Sequence, residues 1–107
     1  MREKFKELGY RVFMAGDPGR ALDRFRQQPY DALIVDAGTV GEEGVSIFEH
    51  IQTEAAFKRL TCAGILILSE SQAGWSDLVK PRPTATVLVR PVTLKQLWRK
   101  LQEMLPK

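Results

Sequence analysis

The chain has 107 residues, of which 44% are hydrophobic and 27% charged, and its 16 basic and 13 acidic side chains leave a net charge of +3. This composition is typical of one globular domain, here residues 1–107, and it excludes a disordered or collagen-like chain. The longest apolar runs, such as Ala63–Leu68, are too short to cross a membrane, and we expect no secretory signal. A single cysteine cannot form an internal disulfide, so we expect a cytoplasmic protein.

Charge is spread unevenly along the chain. Residues 27–57 hold six acidic and no basic side chains, whereas both flanking regions are basic. The basic residues are dispersed over several amphipathic segments, without a dense cluster and without interleaved aromatic residues. Binding of nucleic acid needs a concentrated basic surface, so we expect this domain to bind neither nucleic acid nor a membrane.

The first third of the chain alternates helical and strand patterns. Apolar residues three apart within residues 1–8 predict an opening helix, and residues 10–15 are rich in strand-forming types. Asp17 can cap a second helix, whose apolar spacing runs to Phe25 before Gln27-Gln28-Pro29 ends it. Residues 32–36 form an apolar run that ends in an aspartate, which predicts a buried strand.

The remainder of the chain repeats this alternation. After a loop with three glycines, residues 45–55 show a helical apolar stripe, and residues 65–68 predict a second buried strand. Residues 71–84 have room for one or two helical turns, because prolines near their end prevent a longer helix. Residues 86–89 predict the last strand, and Thr93 caps a final helix with the clearest apolar stripe in the chain.

Strands without polar alternation are covered on both faces, and strands that alternate with helices pair in parallel. The pattern therefore predicts an α/β fold, a three-layer α/β/α sandwich around a parallel sheet of four strands. Functional sites in such sheets lie at the carboxyl ends of the strands. Asp36, Ser69 and Arg90 each follow or end a predicted strand, so we expect a carboxylate, a hydroxyl and a cation to meet at one edge.

With these residues at strand ends, the sequence resembles the receiver domain of bacterial response regulators over almost its whole length. The stretch LGYRVFMAGDPGRALDRFRQQPYDALIVD is similar to the region from the first receiver helix to the phosphoaccepting strand, and EEGVSIFEHIQ to the following helix. ILILS and VLVRPVTLKQLWRKLQEML are similar to the fourth and fifth strands with the final helix. The resemblance implies a flavodoxin-like topology.

The same resemblance implies roles for individual residues. It places Asp36 at the phosphoacceptor position and Gly38 where a backbone carbonyl faces Mg²⁺, so these two residues would contribute to a metal site. Ser69 falls at the position of the switch hydroxyl. Arg90 stands where receivers carry a lysine that pairs with the acceptor or the phosphoryl group, and Pro91 follows it, in the family through a cis bond.

The implied function is that of a receiver in a two-component phosphorelay, with a histidine kinase or a phosphotransfer protein as its partner. However, the family's first strand and its terminal acidic pair have no counterpart in this sequence, so the implied Mg²⁺ site is incomplete. Arg90 also keeps the charge of the usual lysine while changing its reach and donor geometry. The alternative is therefore a pseudo-receiver that binds a protein partner without phosphorylation. A small-molecule enzyme is not expected, because no glycine-rich phosphate loop follows any strand.

The missing strand would lie between the strands at residues 10–15 and 32–36. Either these two strands pair directly, or a second chain fills the gap in a homodimer, because unpaired strand edges in a core are costly. We expect direct pairing in a four-stranded sheet.

A partner surface is expected on the final helix and on the strand and short helix before it. Lys95, Arg99 and Lys100 lie outside the apolar stripe of that helix, and Trp75 could anchor a contact there. The alternative is that Trp75 packs into the core. The other chemistry-bearing side chains are expected to be structural or solvated: Glu42, Glu43, His50, Cys62 and Glu70. The alternative for the three glutamates is a substitute role in holding the metal.

Overall fold

The computed structural model describes residues 12–15, 18–80 and 82–104. Strands and helices alternate in chain order: β1 (Val12–Ala15), α1 (Pro18–Gln27), β2 (Ala32–Asp36), α2 (Ala37–Val40), α3 (Glu42–Phe57), β3 (Ala63–Leu68), a 3₁₀ helix (Glu70–Leu78), β4 (Ala85–Val89) and α4 (Leu94–Met104). The opening helix predicted within residues 1–8 lies outside the described residues and stays a prediction.

The strands form one parallel sheet in the order β1–β2–β3–β4. Ile34 on β2 pairs with Met14 on β1 and with Ile65 on β3. The direct pairing of β1 with β2 confirms the prediction of a four-stranded sheet. Because these two strands bond to each other, this part of the sheet needs no strand from a second chain.

Both faces of the sheet are covered, which makes the domain a three-layer α/β/α sandwich. Successive strands advance in one direction across the sheet, and right-handed crossovers then place all three connections on the same face. Accordingly, α1, α3 and the 3₁₀ helix pack on one face, and α4 packs on the other. The predicted flavodoxin-like α/β class is confirmed.

The larger core lies between the sheet and helices α1 and α3. Phe25 and Phe48 are fully buried there against alternate residues of β2 and β3, and burial of such a ring contributes roughly 1.5–3 kcal/mol. The Tyr30 ring stacks on Phe13 with 4.9 Å between centroids, and its hydroxyl donates to the backbone oxygen of Ala21 at 2.9 Å. Burial raises the pKa of the Tyr30 phenol.

The opposite face of the sheet is packed by α4. Leu97 and Leu101, one helical turn apart, are buried against Ile34, Ile65 and Ile67. These leucines belong to the apolar stripe from which the final helix is predicted. The central strands thus bury both of their faces, which is why their sequences lack polar alternation.

A buried glutamine ties α3 to the segments that enter β3 and β4. Gln52 is 2% exposed, and its Nε2 atom donates to the backbone oxygen of Cys62 at 2.9 Å. Its Oε1 atom accepts the Thr84 hydroxyl at 3.1 Å. Gly64 is required beside it, because a Cβ atom there would lie 2.7 Å from the ring of Phe48.

Cys62 directly precedes β3, and its side chain is buried. Burial raises the pKa of the Cys62 thiol to about 12. The group is therefore protonated and unreactive at neutral pH.

Candidate functional site

The carboxyl ends of β2, β3 and β4 meet at one edge of the sheet. Asp36, the last residue of β2, pairs in register with Ile67, and the backbone N–H of Arg90 donates to the backbone oxygen of Leu68 at 2.8 Å. Ser69 and Arg90 are the first residues after β3 and β4. The carboxylate, the hydroxyl and the cation therefore share this edge, as the sequence predicts.

Asp36 lies at the centre of this edge and accepts hydrogen bonds from three donors. Its Oδ1 atom accepts the backbone N–H of Gly38 at 3.0 Å. Its Oδ2 atom accepts the Thr39 hydroxyl at 3.4 Å and forms an ion pair with the guanidinium of Arg90. The bond from Gly38 caps α2, a single helical turn where the sequence predicts only a loop.

The ion pair is accessible to solvent. The side chain of Asp36 is 26% exposed and that of Arg90 is 49% exposed. Exposed ion pairs contribute little to stability, so the position of this pair at the strand ends points to a role other than holding the fold. The peptide bond between Arg90 and Pro91 is cis, as the resemblance implies.

Gly38 packs where the three predicted side chains converge. A Cβ atom added to it would lie 3.0 Å from Oδ1 of Asp36, 3.8 Å from Nε of Arg90 and 3.9 Å from Cβ of Ser69. The four residues singled out in the sequence therefore surround one small volume. A larger side chain at this position would push the carboxylate away from the Gly38 N–H.

Comparison with known proteins yields no match, whether among family models, characterised proteins or solved structures. The fold class stands on the sheet and its layers, which the structure shows directly. A function for this edge is therefore inferred from its own residues and from their resemblance to a receiver site.

Ser69 is bonded to the first turn of the 3₁₀ helix rather than to the carboxylate of Asp36. Its hydroxyl lies 3.1 Å from the hydroxyl of Ser71, and its N–H donates to Oε1 of Gln72 at 3.0 Å. The Nε2 atom of Gln72 donates in turn to the backbone oxygen of Ala37 at 3.0 Å. The spacing of Ser69 and Gln72 is that of a capping box, and this motif predicts the bond from the Ser69 N–H to Gln72. The bond from Gln72 to Ala37 was not predicted from the sequence, because hydrophobic periodicity does not report contacts between distant polar groups.

A cavity of about 400 Å³ adjoins the ion pair on the face of the sheet that α4 covers. Cavities of this size in proteins admit small molecules. Asp36 and Arg90 provide polar groups to its wall. The apolar part of the wall includes Met14, Ile34, Ile67 and Leu97.

The Mg²⁺ implied by the resemblance has only part of a site among the described residues. Within the described part of the chain, no three side chains of the His, Cys, Asp or Glu types gather in one place. Glu42, Glu43 and Glu70 are exposed and belong to no such group. The guanidinium of Arg90 also pairs with an oxygen of Asp36 that a divalent cation would need. These residues by themselves do not complete a Mg²⁺ site, and binding of Mg²⁺ stays a prediction.

Trp75 lies on the opposite face of the sheet from α4, and a partner surface on α4 stays a prediction. The Trp75 side chain is half-buried and packs against the core on the face of α1 and α3, whereas Lys95 and Arg99 lie on α4, across the sheet. The structure therefore favours the alternative in which Trp75 packs into the core.

Two further expectations concern the surface of the domain. His50 is exposed on α3, as the sequence predicts. None of the helices in the described residues has both the length and the apolar character needed to cross a bilayer.

Proposed function

We propose that the chain is a receiver-type signalling domain of a two-component phosphorelay, with Asp36 as the phosphoacceptor. The observation that carries this proposal is the ion pair between Asp36 and Arg90 at the carboxyl edge of a parallel sheet, with Ser69 and the Gly38 N–H beside it. This edge is where open α/β sheets bind their ligands. A nucleophile, a cation, a hydroxyl and a backbone donor there surround one position for a transferred group.

Phosphoryl transfer requires a free lone pair on the acceptor carboxylate. A carboxylate offers about four lone-pair sites, and three donors bind Asp36, so one site is left for attack. A new bond forms between an Asp36 oxygen and phosphorus, the bond from phosphorus to the donor's nitrogen breaks, and the nitrogen keeps the electron pair. Arg90 then stabilises the phosphoryl oxygens by charge, and the Ser69 hydroxyl does so by donating a hydrogen bond.

The proposed donor is the phosphohistidine of a histidine kinase or of a phosphotransfer protein in the cytoplasm. The imidazole ring is small and flat, and the cavity of about 400 Å³ beside Asp36 is large enough to admit it. The apolar wall of this cavity also suits a ring that carries no charge once the phosphoryl group has left.

A second candidate function is that of a pseudo-receiver, which binds a protein partner without phosphorylation. Two observations favour it: the guanidinium of Arg90 already pairs with Asp36, and no group of carboxylates that could hold a divalent cation exists within the described residues. Under this candidate the ion pair is permanent and the acceptor position is never used.

Intact-mass measurement after incubation with phosphoramidate and Mg²⁺ separates the two candidates. We expect a substoichiometric adduct of one phosphoryl group, because Arg90 is the one cation that pairs with Asp36 among the described residues and can offset the charge of the product. Asp36→Asn should abolish the adduct, and Asp23→Asn, which changes an exposed carboxylate on α1, should retain it.

Each extreme outcome decides between the candidates. A wild-type chain that gains no adduct, with or without Mg²⁺, would overturn phosphoacceptance in favour of the pseudo-receiver. A near-complete adduct that Asp36→Asn abolishes would exclude the pseudo-receiver.

A further inference from the structure

One side chain, Gln72, bridges the helical turn that Asp36 caps and Ser69, the residue that caps the 3₁₀ helix. Its Nε2 atom donates to the backbone oxygen of Ala37 at 3.0 Å, and its Oε1 atom accepts the N–H of Ser69 at 3.0 Å. We propose that Gln72 is a positioning residue that couples the state of the Asp36 carboxylate to Ser69 and to the 3₁₀ helix. This inference rests on the proposed function, because it deepens the account of the same acceptor site.

On the acceptor side, the connection runs through the single turn of α2. Asp36 caps this turn through the N–H of Gly38, and the cap holds the adjoining peptide of Ala37 so that its carbonyl faces Gln72. The same carbonyl accepts the N–H of Gly41 at 2.7 Å. A phosphoryl group on Asp36, or removal of its charge, weakens the cap, because a charged oxygen is the stronger acceptor. The peptide of Ala37 is then held less firmly, and the bond from Gln72 to its carbonyl weakens.

On the other side, Gln72 fixes the start of the 3₁₀ helix. The first N–H groups of a helix lack partners within it, and the Oε1 atom of Gln72 binds the N–H of Ser69, the capping residue. One turn further, Trp75 packs half-buried against the core. If Gln72 loses the Ala37 carbonyl, its half-buried amide is left without an acceptor, which is unfavourable. The amide then shifts, and Ser69 shifts with it.

The substitution Gln72→Glu separates the two contacts with little change in shape. Glutamate keeps an oxygen that accepts the Ser69 N–H, but it replaces the Nε2 donor with an oxygen that repels the Ala37 carbonyl. Gln96→Glu is the matched control, because Gln96 on α4 caps Thr93 in the same way, with Oε1 accepting the Thr93 N–H at 2.8 Å. Gln72→Asn, which is neutral and too short for both contacts, serves as the second variant if the first fails to fold.

The measurement is amide hydrogen exchange of residues 69–78 by mass spectrometry, with and without Asp36→Asn. In the wild-type background we expect Asp36→Asn to speed exchange of this segment by up to roughly fivefold, because the cap keeps an acceptor oxygen but loses its charge, which weakens the bond from the Gly38 N–H. In the Gln72→Glu background exchange is already fast, and Asp36→Asn adds nothing. In the Gln96→Glu background, Asp36→Asn should speed exchange of residues 69–78 as much as it does in the wild-type background.

Two results would overturn the coupling: an equal response to Asp36→Asn in every background, or no response in the wild-type background. A purely structural role of Gln72 would change the baseline exchange but not its dependence on Asp36. No phosphodonor is used, so the result does not depend on whether Asp36 accepts a phosphoryl group. The coupling and the proposed function can therefore fail separately.

Discussion

Asp36 and Arg90 are 54 residues apart in the chain, and their side chains form an ion pair at the carboxyl edge of the sheet. The parallel register creates this proximity, because β3 pairs with both β2 and β4 and the three strands end together. Topology alone thus brings these two positions into contact. What the contact does depends on the chemistry of the two side chains, which substitutions can separate from the fold.

Replacing Arg90 with glutamine tests whether the ion pair serves chemistry or stability. Asp36 is 26% and Arg90 49% exposed, so solvent screens the pair, and we expect the free energy of unfolding to change by less than about 1 kcal/mol. The yield of the phosphoryl adduct should fall, because the product then loses the cation that pairs with Asp36 in the described part of the chain. Urea unfolding measures the free energy of unfolding, and intact-mass measurement gives the yield of the adduct.

The matched control is Arg90→Lys, which keeps the charge and should retain most of the adduct. If Arg90→Gln instead lowered the free energy of unfolding by more than about 3 kcal/mol, the pair would behave as a buried one. Its role would then be to hold the strand ends together.

Substitution of Gly64 by alanine should destabilise the domain. The added Cβ atom would lie 2.7 Å from the Phe48 ring and would also collide with the amide of Gln52. Overpacking of this kind costs about 1–3 kcal/mol. Gly74→Ala is the control, because nothing lies within 4 Å of its added Cβ atom, and stability there should stay the same or rise. Thermal unfolding followed by circular dichroism compares the two variants, and equal losses would contradict the steric explanation.

The strands and their order could be predicted because burial on both faces leaves a direct mark in the sequence. Residues 32–35 and 65–68 are apolar without alternation, and both lie in the centre of the sheet. The direct pairing of β1 with β2 follows from the cost of unpaired backbone groups. The carboxyl edge then follows from the parallel arrangement, which is why the meeting of Asp36 with Arg90 could be predicted as well.

Contacts between polar groups of different elements leave no such mark. The sequence predicts a loop for residues 37–40, where α2 forms, because an aspartate at a strand end looks the same whether or not it caps a turn. The bond from Gln72 to Ala37 spans 35 residues and follows no period. The placement of Trp75 could not be decided either, since its packing partners belong to other elements.

Burial of Cys62 predicts a loss of stability in alkaline solution. The thiol has an ordinary pKa of 9.0, and burial raises this pKa to about 12 in the folded protein. Below pH 9.0 both states keep the proton, and the stability is fully present. Between pH 9.0 and about 12 only the unfolded state releases the proton, so the free energy of unfolding decreases as the pH rises. We expect this one group to contribute a decrease of up to about 1.4 kcal/mol per pH unit.

Urea unfolding just below and one unit above pH 9.0 measures this decrease. Cys62→Ala should remove most of it, because alanine has no proton to release. The phenol of Tyr30 is present in both proteins. Because its ordinary pKa is 10.0, it contributes little to the decrease in the free energy of unfolding over this one pH unit. If the free energy of unfolding fell equally with pH in both proteins, the Cys62 thiol would not be the cause of the loss of stability in alkaline solution.

Trp75 packs half-buried against the core on the face of α1 and α3, so its truncation should destabilise the domain. Truncation of a fully buried tryptophan costs about 3–5 kcal/mol, and we expect about 2 kcal/mol for a half-buried one. Arg99→Glu on the exposed surface of α4 should change the free energy of unfolding by less than about 0.5 kcal/mol. Urea unfolding of the two variants, with sedimentation velocity to measure self-association, tests both expectations. If Trp75→Ala left stability unchanged but abolished self-association of the wild-type chain, Trp75 would be a contact residue of a partner surface rather than part of the core.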